Sequence, residues 1–167
     1  VGGMGAAKTG GNYAASLAPQ QEAIDRGFDQ VVFLDSSTHT YIEELGGMNL
    51  FFVTKDGRLR TPALTGSILE GVTRSSILQL GRDMGLTVEE RRVTLAEWAE
   101  GVRSGEITEV FACGTAAVVT PIGRLLDGDD VIESAGGTEV TLKIRAELEG
   151  IQTGRVEDRH GWLHRLV

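Results

Sequence analysis

Residues 41–57 read YIEELGGMNLFFVTKDG, and the fold turns on how this stretch is divided. LFFVT (50–54) is a short apolar run of β-branched and aromatic residues, the composition of a buried strand. YIEELGGMN before it is a second extended segment, and KDG (55–57) after it is a hairpin turn leading into LRTPAL. Upstream, QVVFLD (30–35) has the same buried-strand character, with the polar turn SSTHT between. Several strands thus follow one another with no helix between them, which excludes a simple repetition of βαβ units.

Helices flank this strand-rich centre. Asn12 is placed to cap a helix through YAASLAPQQEAIDRG, stopped by Gly27 and interrupted by Pro19 with a kink or a late start. GVTRSSILQLGRDMG reads as a loop entering a helix whose apolar face is Ile77, Leu78, Leu80 and Met84. TVEERRV (87–93) alternates as a strand, and Thr94-x-x-Glu97 forms a capping box at the start of TLAEWAEGVRSG. EVFACGTAAVVTPIGRLL holds two apolar runs broken by Cys113-Gly114-Thr115. TEVTLKIRAELEGIQ (138–152) is an amphipathic closing helix, and the tail returns to loop. No repeat, low-complexity segment or linker divides the chain, so one mixed domain is expected.

The 167 residues are 41% hydrophobic, ordinary for a soluble globular protein, and enough to bury roughly 70% of the unfolded surface. A net charge of −8 argues against a nucleic-acid or anionic-membrane surface. No run reaches the length of a membrane span and nothing resembles a signal peptide. Cys113 is the single cysteine and shares no ligand spacing with His39, His160 or His164, so zinc is not expected and a reducing cytoplasm is the simplest setting. The chain opens on Val1 with five glycines among its first eleven residues, which reads as the middle of a longer protein.

Of the three lysines, Lys55 sits in a polar turn and Lys143 on the last helix. Lys8 differs: Ala6, Ala7, Thr9 and Gly2, Gly3, Gly5, Gly10 and Gly11 surround it with small uncharged residues. An amine in such surroundings loses hydration, which favours the neutral, nucleophilic form. The plainer alternative is a lysine in a glycine-rich terminal segment. A phosphate-binding P-loop fails because Ala7 replaces the glycine before the lysine and no strand precedes it.

Adjacent Glu43 and Glu44 on a strand must face opposite sides, which turns one of them inward among Ile42, Leu45, Phe51 and Phe52. An inward carboxylate needs an arginine or a protonated heterocycle as partner; a surface pair on an edge strand is the alternative. Gly71-Val72-Thr73-Arg74-Ser75-Ser76 precedes a helix, where free amides beside a glycine make a phosphate seat, an ordinary capping turn being the plainer alternative. Gly114-Thr115-Ala116-Ala117 is a second small-residue turn able to hold phosphate or carboxylate oxygens. An amine, an acid for a ring nitrogen and two anion seats together describe the needs of pyridoxal 5′-phosphate.

GAAKTGGNYAASL, DQVVFLD, YIEELGGMNLFFV, LTGSIL, GVTRSS, VEERRV, EVFACGTAAVVTPIG, GIQTG and HGWL closely resemble the branched-chain amino acid aminotransferases, over nearly the whole chain and in order. The resemblance implies an α+β fold, the pseudo-barrel large domain of the fold-type IV pyridoxal-phosphate enzymes, with mixed β-sheets surrounded by helices. It implies that residues 1–167 form this C-terminal domain, without the family's smaller N-terminal one. Lys8 would carry the Schiff base, Tyr13 would meet the cofactor's ring hydroxyl, and Glu44 would pair with the pyridinium nitrogen. Gly71, Val72, Thr73, Gly114 and Thr115 would hold the phosphate, and the Thr115 and Ala116 amides the substrate carboxylate.

Leucine, isoleucine and valine would be transaminated with 2-oxoglutarate by a cytoplasmic homodimer. D-amino acid aminotransferase and aminodeoxychorismate lyase share this frame, but EELGGMN and ACGTAAVV favour the branched-chain group; a non-catalytic domain of the same fold is the remaining reading. Glu70 stands where the family usually has proline and is expected to point outward. Cys113, without a second cysteine, removes the paired redox switch of mammalian members.

Overall fold

A computed structural model describes residues 4–134 and 136–166; Val1, Gly2 and Gly3, two of them among the glycines around Lys8, lie outside it. The first half runs α1 (Gly10–Asp25), β1 (Val32–Leu34), β2 (Ile42–Leu45), β3 (Asn49–Thr54), β4 (Arg58–Pro62) and α2 (Val72–Asp83). The second runs β5 (Thr87–Arg91), α3 (Leu95–Ser104), β6 (Ile107–Gly114), β7 (Val118–Pro121), β8 (Arg124–Asp127), β9 (Asp130–Glu133) and α4 (Glu139–Gln152). The class is α+β, as expected.

The central sheet has the order β5-β4-β3-β6-β7, antiparallel except for the parallel β4–β5 pair. β3 is its middle strand, and every one of its six residues is buried. Its alternating side chains feed two cores. Leu50 and Phe52 join Trp98, Val102, Val110 and Ala112, together with Ile42 and Leu45 of β2 and Leu125 and Ile132 of the β8–β9 hairpin. Phe51 and Val53 join Ile77, Leu80, Phe111, Ile144, Leu148 and Ile151 beneath α2 and α4. Phe51 stacks on Phe111 at 5.1 Å, and Phe52 meets Trp98 edge-on at 5.4 Å. The small sheets β1–β2 and β8–β9 and helix α3 thus cover one face, and α2 and α4 the other.

Local signals explain most element ends. The Thr94–Glu97 capping box forms in both directions, and α3 stops at Gly105 in a left-handed conformation. Gly57, with φ 80°, closes the KDG turn by donating to the Thr54 carbonyl at 3.0 Å. The SSTHT turn wraps around Asp35, whose carboxylate accepts from the amides of Thr38, Thr40 and Tyr41.

Two expectations are corrected, and one hairpin is added. Thr9, not Asn12, is the N-cap residue of α1, and the helix runs through Pro19 to Asp25. The Asn12 side chain instead reaches back to the carbonyls of Met4 and Ala7, at 2.6 and 2.7 Å. β1 is only half-buried, because it pairs with β2 alone and lies at the rim rather than inside the central sheet. The β8–β9 hairpin was not foreseen: its polar sequence turns only Leu125 and Ile132 into the core.

The start of α4 is capped from a distance. Thr138 gives it no side-chain bond; buried Glu109 on β6 accepts from the amides of Val140 and Thr141, at 2.9 and 2.8 Å, and from the Thr141 hydroxyl at 2.6 Å. Glu109→Ala should destabilise the fold by about 2–3 kcal/mol, because buried helix donors lose a charged acceptor, while Glu109→Gln should lose about 1 kcal/mol. Urea unfolding at neutral pH measures both, with midpoints shifted and the slope unchanged.

Candidate active site

Lys8 lies in the turn that leads into α1. Ala7 and Thr9 donate to the carbonyls of Met4 and Ala7 at 2.9 Å each, and Asn12 clasps the same two carbonyls. The segment is fastened to the 65–69 stretch where Ala6 donates to the Gly66 carbonyl at 3.2 Å. Gly5 is tight there: a Cβ on it would stand 2.1 Å from the Ser67 carbonyl oxygen. A glycine is therefore required by that backbone contact, whereas Gly10 and Gly11 meet nothing within 4 Å. Lys8 itself is exposed and on no strand, so the loss of hydration expected for it is not there in this chain, and its amine is open to a ligand.

The two glutamates of β2 do not divide between its faces in the way strict alternation demands. Opposite Phe33 and Leu34 the register slips, pairing Phe33 with Glu44 and Leu34 with Ile42, so Glu43 is an extra residue in the ladder. The slip lets Ile42 and Leu45 both enter the core and leaves both glutamates half-buried. Glu43 accepts from the hydroxyls of Ser67 and Thr65, at 2.5 and 3.2 Å. Among the described residues, no basic side chain pairs with Glu44. Burial pushes its carboxyl up to about 7, opposed by the Leu69 amide and reinforced by the neighbouring Glu43.

The phosphate-seat residues form the first turn of α2 rather than a loop before it. Gly71, with φ 71°, is the N-cap residue, and no side chain caps the amides that follow; Val72 is 86% exposed and Thr73 half-buried. Glu70 is exposed, as expected. Gly114, Thr115 and Ala116 lie at the β6–β7 turn, Gly114 packed against Met48 and the Gly47 carbonyl, Thr115 and Ala116 exposed. Val118 closes that turn with φ 53°, a left-handed conformation that a β-branched residue rarely adopts. Cys113, at the foot of the turn, is buried and its thiol is pushed up to about 12, which keeps it unreactive.

These pieces meet around the start of β3. The Tyr13 ring lies 4.0 Å from where a Cβ on Gly47 would be, Gly114 borders Met48, and Gly71 presses on the Asn49 side chain. The segments holding Lys8 and Glu44 both border residues 66–69. A cavity of about 760 Å³ lies elsewhere, between the second half of α1 and Leu45, Trp98, Ala112 and Leu125, and none of the nine candidate residues lines it. The candidate site is an open rim, and the chemistry of its side chains, not cavity size, is what singles it out.

The family profile described as amino-transferase class IV matches residues 5–125. The chain belongs to that family. It is 56% identical over 170 aligned residues to a branched-chain-amino-acid aminotransferase of Mycobacterium tuberculosis (strain CDC 1551 / Oshkosh), an alignment that takes in 99% of this chain and 46% of that protein. It superposes on the Escherichia coli branched-chain amino acid aminotransferase with a TM-score of 0.80 at 38% identity, covering 96% of this chain and 51% of the other. A branched-chain amino acid aminotransferase from T.th., solved with pyridoxamine 5′-phosphate, gives a TM-score of 0.79 at 35% identity, with 96% and 48% covered. The chain thus spans about half the length of the curated relatives it matches.

Sequence reasoning missed the bulge at Glu43 and the strained Val118; nothing in either local sequence signals them. A carboxyl held near 7 has a direct consequence. Its folded pKa lies above the ordinary 4.5, so the native state has its full gain in stability below about pH 4.5 and loses it as pH rises through 7. Glu44→Gln, which never ionises, should melt with the parent chain at pH 4 and above it at pH 8. Thermal unfolding of both across pH 4–8.5 checks this, and parallel curves would contradict it.

Proposed function

We propose that this chain is the cofactor-binding domain of a branched-chain amino acid aminotransferase, which moves the amino group of leucine, isoleucine or valine to 2-oxoglutarate. The observation that carries the reading is Glu44: a half-buried carboxylate with no basic partner among the described residues, whose segment borders residues 66–69, as does the segment that holds the accessible Lys8, just ahead of an uncapped helix start. Such a carboxylate is completed by a ligand that brings its own cationic N–H, and a pyridine ring does so. The names of the relatives supply the substrate class, and the pyridoxamine 5′-phosphate of the T.th. structure the cofactor type.

Pyridoxal 5′-phosphate, when bound, supplies an aldehyde carbon for amines and an electron-withdrawing ring. The roles of the residues follow from their chemistry. Lys8 would fasten the cofactor through its Nζ and, when freed, would take the proton from the substrate α-carbon as general base and, as general acid, deliver it to the cofactor carbon to which it had been joined. Glu44 keeps a proton on the ring nitrogen, and Tyr13 orients the ring through its hydroxyl. The amides of Val72 and Thr73, opened by Gly71, and the Thr115 hydroxyl beside Gly114 receive the phosphate. The amides of Thr115 and Ala116 receive the substrate carboxylate.

The relatives are about twice as long as the stretch they share with this chain, which is in keeping with a further domain in the complete enzyme. The exposed Tyr13, Leu17 and Ile24 of α1 are in keeping with further chain or a second subunit of a homodimer against that helix. No described helix is long and apolar enough to cross a membrane, and a single buried thiol suits a reducing cytoplasm.

Borohydride reduction of the cofactor-saturated full-length protein should leave a pyridoxyl group on the peptide containing Lys8. Lys8→Ala should remove the label and slow the leucine half-reaction by about 10²–10⁴-fold. An unlabelled Lys8 peptide, or faster turnover of D-alanine than of leucine, would refute the assignment.

A further inference from the structure

We infer that Asn49 and Arg74 are positioning residues, which together hold the Leu69–Thr73 turn in the shape that receives the cofactor's phosphate. The inference rests on the proposed function for the identity of the ligand, and on geometry for everything else. The turn has little support of its own. Its helix start lacks a side-chain cap, Gly71 stands in a left-handed conformation, and Glu70 and Val72 are exposed.

Two side chains from beneath supply what is missing. Asn49, 7% exposed at the start of β3, donates through Nδ2 to the Leu69 carbonyl at 2.9 Å. Its Oδ1 fills the space beside Gly71, only 2.3 Å from where a Cβ would be, so asparagine and glycine fit as a pair. Arg74, 3% exposed in the first turn of α2, turns inward rather than toward the phosphate. Its Nη2 donates to the Pro62 carbonyl at 3.0 Å and to Glu90 Oε2 at 2.9 Å, tying the helix start to β4 and to β5. One brace thus fixes the turn before Gly71 and the other the turn after it. The free amides of Val72 and Thr73 lie between the two anchors.

A buried guanidinium so close to an anion seat could be taken for a phosphate ligand. The structure argues otherwise: its hydrogen bonds go to a backbone carbonyl and a carboxylate, both away from the exposed face of the turn. Arg74 shapes the seat; it does not fill it. Asn49 is likewise on the α2 side of β3, adjacent in the sheet register to buried Cys113.

The test compares two ligands that differ only in the phosphate. Pyridoxal 5′-phosphate and pyridoxal are titrated by absorbance into the full-length protein, its Asn49→Ala and Arg74→Met variants, and Glu90→Gln, whose half-exposed side chain can be altered without opening the core. Asn49→Ala and Arg74→Met should weaken pyridoxal 5′-phosphate about tenfold to a hundredfold, and Glu90→Gln about threefold to tenfold. Pyridoxal should change less than about threefold in every variant, and Arg74→Lys should recover part of the loss. Variants that keep the parent's phosphate preference, or that lose both ligands equally, overturn the positioning role while leaving the proposed function standing. A parent protein with no preference for the phosphate form overturns both.

Discussion

Strand β3 leaves no side for solvent: β4 and β6 take its two edges, and two separate apolar cores take its two faces. Every other element is placed relative to it. Leu50 and Phe52 can reach Trp98 only if Phe51 and Val53 reach α2 and α4, so a slip of one residue would exchange two cores of different shape. This register is what carries Asn49 to the mouth of the sheet and sets it against Gly71 and Leu69. The candidate residues on β2, at the start of α2 and at the β6–β7 turn border that mouth, next to a part of the molecule that cannot shift without losing both cores.

The features legible in the sequence are those whose cause is local. LFFVT announces a buried strand by composition, KDG a hairpin by its glycine, and Thr94-x-x-Glu97 a helix start by reciprocal bonds. What escaped has its cause far along the chain. Asn12 has the composition of a helix cap, but the carbonyls of Met4 and Ala7 lie within its reach and win it. Glu109 caps a helix that begins thirty residues later, a role visible only once β6 and α4 are packed. The Glu43 bulge satisfies a demand that Ile42 and Leu45 both be buried, and that demand comes from the core. Candidate site residues were identifiable as types; the exposure of Lys8 and the helical setting of Val72 and Thr73 were not, because they depend on where α1 and α2 start.

Glu44 is a fault in the folded chain on its own terms. A core built only for stability would give a half-buried carboxyl an arginine, as β4 does for Glu89 with Arg60, whose Nε lies 2.6 Å from Glu89 Oε2. Among the described residues Glu44 receives one backbone amide and a like-charged neighbour, and burial raises its proton affinity. Any ligand with a protonated nitrogen there gains the interaction that the protein withholds, and by linkage binding of that ligand stabilises the fold. In the proposed function, stability and recognition draw on the same desolvated carboxylate.

The opposite arrangement holds at Lys8. Helix α1 has no buried residue, and it is fastened by polar bonds at its ends: Asn12 to Met4 and Ala7, Gln20 to the Asp29 carbonyl, Arg26 to the Gly128 carbonyl. Such contacts exchange with water at small net free energy, unlike the aromatic contacts under β3. The groups proposed to hold the cofactor still, Glu44 and the start of α2, are therefore tied to the rigid sheet. The group proposed to leave and return during each half-reaction sits on the segment with the least buried support. A fixed acid and a mobile amine suit the transfer of a proton from one carbon to another, run in both directions.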